Sequence, residues 1–421
     1  MFDLVGLLVC VFAHTLEYAP LALIGYCVWF QVEQVLFKRK LAAYKPVPIP
    51  EICPYTSDQV SVIACTVDTL LASSLRTWLA NNPLEVIIVT VPKHIEHIRL
   101  VVDNAQLTPA DFEKVTIVAS PEMGKRPQLV LGINNARGSV FGLVDDHIAW
   151  GPRFLEAMLP CFQDQRVGAI SPEIDAIIPE ERRNPDIISP WEVMAMRVRW
   201  NSNPRLKVAY AAARWAWGIC GVTGVYRAEI LKDPVFIDAY RNELWFGKKI
   251  DIGEDNFISR WLQSHDWIIA IQALPETVVS RTVKRTSDFL LQMCRWERST
   301  ILTHLRQLLE VKRTRRSLFV FRKTLGRIIR PVITWTYIFF FTLSMWTKPI
   351  VPLIIFVFYV HKTYPTYEFF FAKHPYMRRY WWAVIAQDLF HVVQDPICWL
   401  TLGNVTWEAR KVTAEEQNNI K

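Results

Sequence analysis

The chain has no Cys-x-x-Cys pair, no internal repeat and no low-complexity segment, and its first 37 residues carry almost no charge. The eight cysteines, at positions 10, 27, 53, 65, 161, 220, 294 and 398, are scattered and several sit within apolar runs. That spacing indicates neither a zinc site nor a disulfide framework and favours a reduced, cytosol-facing body. The start of the chain lacks both the early basic region and the small-residue cleavage site of a signal peptide. Only Glu17 and Glu33 are ionised after Asp3, so residues 14–36 read as one transmembrane helix. Lys38-Arg39-Lys40 follows at once, which by the positive-inside rule puts the next domain in the cytosol. A buried or interfacial apolar helix is the competing reading.

What is present is a large and rather apolar body. The 421 residues are enough for one large catalytic domain with an appendage. A net charge of +8 suits nucleic acid, an anionic membrane face or a phosphorylated substrate, and charge alone does not choose among them. Seventeen Trp and 13% aromatic residues, with a positive mean hydropathy, argue that part of the chain meets lipid.

The organisation falls into four stretches. Residues 1–45 hold the N-terminal helix, which the stiff linker Pro46-Val-Pro-Ile-Pro50 ends. Residues 46–310 alternate β-rich runs with helical stretches: Val60–Thr66, Glu85–Val91, Val115–Ala119, Ser139–Val144, Val167–Ser171 and Trp267–Ala270. Such alternation predicts an α/β domain with a mostly parallel sheet. Residues 311–330 contain eight basic residues and no acidic one. Leu318, Phe321, Leu325 and Ile328 share one helical face there, with Lys323, Arg327 and Arg330 opposite, as in a helix lying on a membrane surface. In residues 331–421, the apolar run 331–360 is long for one helix and short for two spans, so a hairpin of two short or tilted helices is expected. Tyr380–Leu402 carries Asp388, His391 and Asp395, and reads as either a third span or an interfacial helix.

Three clusters carry the chemistry. The strand ending in Val144 runs straight into Asp145-Asp146-His147. Ligand crevices in α/β sheets lie beyond the carboxyl ends of strands, and oxygen with imidazole suits Mn²⁺ or Mg²⁺. Gly253-Glu254-Asp255 places acids at a helix start, where they also complement the helix dipole. Gln292, Arg295, Trp296 and Ser299 fall at i, i+3, i+4 and i+7 on one helical face. A Trp face stacks on a sugar ring, and an Arg fork suits a diphosphate.

This ordered set resembles the processive, membrane-embedded family 2 glycosyltransferases, the group of hyaluronan, cellulose and chitin synthases. Within that group the chain looks most like the fungal type 1 capsular polysaccharide synthase-like enzymes. The resemblance covers nearly the whole chain. It implies a cytosolic GT-A (Rossmann-like) domain joined to a small helical transmembrane region, in an integral membrane protein of the plasma membrane rather than the Golgi. It implies inverting transfer from a UDP-sugar to a growing polysaccharide that crosses the bilayer, with Mn²⁺ or Mg²⁺ as cofactor and no nucleic acid partner; it leaves the oligomeric state open. Transfer of one sugar to a ceramide-type lipid, or a non-catalytic membrane partner, are the alternatives.

The same resemblance assigns the residues. Thr66 and Asp68 are implied in uracil contact, although Asp68 also suits a helix cap. Lys125 and Arg126 match the Gly-Lys-Arg segment beside the nucleotide. Asp145 is directed to the nucleotide and, with Asp146 and His147, to metal. Gly224 and Tyr226 match an acceptor-side glycine motif, Asp255 the catalytic base, and Gln292, Arg295 and Trp296 the acceptor and pyrophosphate motif. Trp407 and Arg410 match a gating Trp-x-x-Arg, with Arg410 also on the donor; an interfacial anchor and a snorkelling cation are their plainer reading. Two features depart from the pattern: the second strand runs on into Val91-Pro92-Lys93 where a carboxylate is usual, so that Asp58 or Asp103 would have to stand in, and His147 replaces the usual second Asp, which is tolerable because imidazole ligates Mn²⁺.

Overall fold

A computed structural model describes residues 4–67, 71–245, 247–250 and 253–404, with side chains from residue 14 onward. Asp68, Trp407 and Arg410 lie outside the described residues. The β-branched runs form β1 (Val60–Cys65), β2 (Glu85–Thr90), β3 (Val115–Ala119), β4 (Val140–Asp145), β5 (Val167–Pro172) and β6 (Ile174–Ile177). They are followed by β7 (Thr223–Arg227), β8 (Leu244–Trp245), β9 (Lys248–Lys249), β10 (Ile268–Gln272) and β11 (Val279–Thr282).

Seven strands make one sheet in the order β10-β5-β7-β4-β1-β2-β3. The pairs β1–β2, β1–β4, β2–β3 and β5–β10 are parallel, as the alternation predicts. The sheet is nonetheless mixed, because β7 inserts antiparallel between β4 and β5. β7 was not among the expected strands: Thr-Gly-Val-Tyr-Arg is short and reads as a glycine motif rather than as a strand. Both faces of the sheet are covered. Val60, Val62 and Ala64 pack with Leu75 and Trp78 on one side, and Ile63, Ile87 and Val89 with Leu129 and Ile133 on the other. Burial on both faces is why these strands read as continuous apolar runs.

The helical part departs from expectation in detail. One helix runs unbroken from Leu4 to Ala43, and its stretch His14–Ala43 is long and apolar enough to cross a membrane. Leu21, Val28, Trp29 and Phe30 stand exposed on it, while Ala19 and Leu23 are buried. The run 331–360 divides at Lys348 into Arg330–Thr347 and Ile350–Lys373, as two helices were expected. Tyr380–Leu402 is not a single span. It breaks into Trp381–Leu389 and His391–Leu400, each too short to cross a bilayer. Asp388 there binds Arg197 at 2.6 Å, and Asp395 binds Arg330, so both acids face protein.

The basic helix Leu318–Ile328 forms as expected, and its cations have protein partners. Lys323 pairs with Glu33 of the N-terminal helix and Arg327 with Glu297, while Leu318 is exposed and Phe321, Leu325 and Ile328 are half-buried. These pairs tie three helices together. Glu33 is an ion in an apolar helix, and leaving it unpaired would be costly.

A buried carboxylate, Glu243, gathers three helices. It accepts from Arg126 at 2.6 Å and Arg306 at 2.5 Å, and from Arg260. Removing one partner of such a buried network leaves the others uncompensated. Glu243→Ala is expected to destabilise the protein by about 3–5 kcal/mol, read as a lowered denaturation midpoint of the purified protein. An unchanged midpoint would show that the three arginines find other partners.

Candidate active site

The helix Lys125–Asn135 begins directly after Gly124, whose φ of +131° is open to glycine and strained for other residues. That turn delivers the Lys125 ammonium to the end of β4. It sits 2.8 Å from Asp145 Oδ1 and 2.6 Å from Glu254 Oε1, bridging two carboxylates from distant parts of the chain. Burial alone would lower the Lys125 pKa, but Asp145 and Glu254 hold it well above the usual lysine value. Burial likewise opposes ionisation of Glu254, and Lys125 overrides it, so the Glu254 pKa is lowered.

Asp255, next along the same helix, has no such cation of its own. Burial and then the Glu254 charge push its pKa up to about 7. Its carboxylate stands against Gly221, where an added Cβ would lie 2.7 Å from Oδ2. A carboxylate poised near neutrality at the back of a cavity is what a general base requires.

A second helix, Asp288–Glu310, is laid beside the Glu254–Ser264 helix by matched polar pairs. Asn256 donates to Ser299 at 2.9 Å, Arg260 to Thr303 at 3.4 Å, and Gln307 to Gln263 at 2.9 Å. The pairs rise together along both helices, which therefore run side by side in one direction. Gly253 lies against the Ser299 hydroxyl with φ +67°, so its place is closed to a side chain twice over. This packing brings Gln292, Arg295 and Trp296 to the same cavity as Asp255. Arg199, from the helix Pro190–Ala213, lies over the Trp296 ring with its guanidinium carbon 5.0 Å from the centroid.

The cavity holds roughly 2860 Å³, several times a single small-molecule pocket. Its lining includes Thr66, Lys93, His94, Lys125, Asp145 and His147 from the sheet side, Glu254, Asp255, Gln292, Arg295 and Trp296 from the two paired helices, and Tyr26, Trp29, Phe30 and Ile333 from the apolar helices.

Not every expected residue reaches it. Arg126 points away: its guanidinium is 4% exposed, bonds Tyr240 O at 2.7 Å and Glu243, and stacks on the Tyr240 and Phe257 rings. It holds the helix in place and does not face the cavity. Gly224 pairs with Leu143 inside the sheet, and the Tyr226 ring is buried in the core behind Asp255. The sequence motif around them is spent on building β7. Asp58 and Asp103 are exposed elsewhere on the domain; Lys93 and His94, which follow β2, occupy the place where a carboxylate was sought. Residues not singled out beforehand are Arg199, Asn256, Lys93 and His94, none of which stands in a recognisable spacing.

The expected three-ligand metal cluster is also modified. Among the described residues no group of three or more His, Cys, Asp or Glu side chains converges for a metal ion. Asp146 Oδ2 accepts from Thr66 Oγ1 at 2.7 Å, and Asp146 Oδ1 lies 3.0 Å from His147 Nδ1. Asp146 thereby orients His147, leaving Asp145 and the other imidazole nitrogen as the donor set. One carboxylate and one imidazole fit a divalent ion that takes its remaining ligands from a diphosphate and water.

The family model described as "Glycosyltransferase like family 2" matches residues 58–299, and the chain belongs to that family. It is 28% identical over 400 residues to the NDP-glycosyltransferase ltbB of Aspergillus luteorubrus, covering 92% of this chain and 97% of that one. A Type 2 glycosyltransferase of Zymoseptoria tritici is 28% identical over 61% of this chain and 53% of its own length. The structure of the mannosyltransferase PcManGT from Pyrobaculum calidifontis, in complex with GDP-Man and Mn²⁺, is similar at TM-score 0.54 and 17% identity, covering 89% of this chain and 99% of that one. The fold is thus GT-A-like.

Gly221→Ala is expected to push the Asp255 carboxylate aside and lower turnover by about 10²-fold, the scale of a misplaced catalytic group. Full turnover in that variant would show that Asp255 is not the base or that the Gly221 segment yields.

Proposed function

We propose that the protein transfers a sugar with inversion from a UDP-sugar to an acceptor hydroxyl at the cytosolic face of a membrane, and that repeated transfer extends a polysaccharide which leaves past the apolar helices. The observation that carries this reading is the pair Glu254–Asp255: one carboxylate held ionised by Lys125, its neighbour poised near pH 7 in the same cavity. Asp255 takes the proton from the acceptor hydroxyl as that oxygen attacks the anomeric carbon from the face opposite the diphosphate. Lys125 and Arg295 face the negative charge that develops on the leaving group. A divalent ion held by Asp145 and His147 supplies further positive charge there when bound. Trp296 offers its ring to the acceptor sugar, with Gln292 beside it.

A second reading, one transfer to a lipid-borne acceptor, is favoured by the apolar end of the cavity at Tyr26, Trp29 and Phe30. Incubating the purified full-length protein with a panel of nucleotide sugars and sizing the products separates the two. Polymer supports extension, single-sugar lipids support the second reading, and no turnover of any donor would refute both.

Three outcomes follow for the chemistry. Excess EDTA is expected to abolish turnover, with His147→Asp retaining metal activation that His147→Ala loses; full activity in EDTA would refute the metal. Asp255→Asn is expected to lose at least about 10²-fold in rate while still binding UDP by calorimetry. A base works only when deprotonated, so the rate falls as pH drops through about 7. Because the Glu254 charge contributes to that raised value, Glu254→Gln is expected to move the acid limb of the pH–rate profile to lower pH. A limb that stays in place would assign it to another group.

A further inference from the structure

The cavity continues beyond Trp296 along the helix Pro190–Ala213. Arg199 over Trp296 and Arg205 further on both line it. Six residues of helix separate them by about 9 Å along its axis, more than the length of a single sugar ring. Arg205 has no hydrogen bond or ion pair among the described residues, and the surface to which it is exposed is the cavity wall. Burial, then the neighbouring Arg330, lowers its pKa. It also lies within electrostatic range of Lys323. Lys323 and Arg322 share one carboxylate, Glu33. Three cations therefore face one acid at this level of the cavity. Glu297, Asp388 and Asp395, the other acids nearby, are already taken by Arg327, Arg197 and Arg330. One to two turns back along the N-terminal helix from Glu33, Phe30, Trp29 and Tyr26 line the same cavity. A guanidinium that lines a cavity with no carboxylate partner of its own keeps its donors free for an anion.

We infer that the acceptor is a sugar carried on a lipid diphosphate, its sugar resting at Trp296, its diphosphate held by Arg205 with Arg322 and Lys323, and its hydrocarbon lying along Tyr26, Trp29 and Phe30. This rests on the glycosyltransferase reading of the site and names the acceptor class for it. The order of chemistries along the cavity carries it: aromatic ring, cations, apolar wall. A lipid without charge would leave Arg205 unsatisfied, and a free anion would leave the apolar wall unused.

The test is calorimetry on the full-length protein in detergent, with UDP and Mn²⁺ saturating the donor site and farnesyl diphosphate, farnesol and inorganic pyrophosphate as probes. Farnesyl diphosphate is expected to bind at least about tenfold more tightly than farnesol or pyrophosphate, the scale of one charge-assisted hydrogen bond. Arg205→Ala should weaken it by about the same factor and Arg205→Lys by less. Glu33→Gln, which releases Arg322 and Lys323, should tighten it. Equal binding of farnesol, or unchanged affinity in both Arg205→Ala and Glu33→Gln, would overturn the inference. So would binding of a uronic acid oligosaccharide in place of farnesyl diphosphate. UDP binding by the unmodified protein is the separate control: its failure would overturn the donor site, and its success with failure of farnesyl diphosphate would overturn only the acceptor assignment.

Discussion

The ammonium of Lys125, lodged between Asp145 and Glu254, is the contact on which the site depends. It joins the end of β4, the start of the helix behind Gly124 and the start of the helix carrying the base. Without it three buried or half-buried charges would face one another unbalanced. With it, Glu254 keeps its negative charge, and that charge is one of the two causes that raise Asp255 toward neutrality. Lys125 thus acts on the Asp255 carboxyl in two opposed ways, directly by favouring its charge and indirectly by keeping Glu254 ionised, while burial is the larger cause of the raised pKa. The same lysine is paired to Asp145, so the strand end that carries Asp145 and His147 and the helix start that carries Glu254 and Asp255 are coupled through a single side chain.

Neighbouring arginines divide into two kinds by their partners. Arg126, Arg260 and Arg306 are consumed by Glu243, and Arg327 and Arg330 by Glu297 and Asp395. These pairings fix the relative placement of helices far apart in sequence. Arg199 and Arg205 have no carboxylate partner and line the cavity. A cation whose charge is answered inside the protein holds the fold; one left unanswered on a cavity wall defines what the cavity can accept.

That division also explains what the sequence disclosed. Asp145 and His147 at the end of β4, Asp255 behind its glycine, and the Gln292, Arg295 and Trp296 face were legible because each rests on local geometry, a strand end or a helical spacing, that survives folding unchanged. Arg126 was not, although it adjoins Lys125, because its fate is set by Glu243, 117 residues away. Asp146 reads as a ligand until Thr66 claims its carboxylate from β1's end. The parallel strands were legible from their apolar runs, whereas β7, with two polar positions and a glycine in five residues, carried too little pattern to announce itself. Amphipathicity located the helix Leu318–Ile328 but gave no sign that Lys323 would pair with Glu33, which lies on a helix 290 residues away in sequence.

The pairing of Glu33 with Arg322 and Lys323 has a consequence for how the apolar helices and the catalytic domain move. A carboxylate in an apolar helix is costly unless paired, and here its partners come from the helix Leu318–Ile328. Arg327, one turn further along, reaches back to Glu297, which neighbours Trp296. The N-terminal helix is therefore connected, through two successive ion pairs, to the residue beside the Trp296 ring. Any displacement of the N-terminal helix must either break the half-buried Glu33 pairs or carry the helix Leu318–Ile328 with it, and through Arg327 the helix that bears Trp296. The apolar helices and the cavity wall at Trp296 are thereby joined by charges contributed from three separate helices.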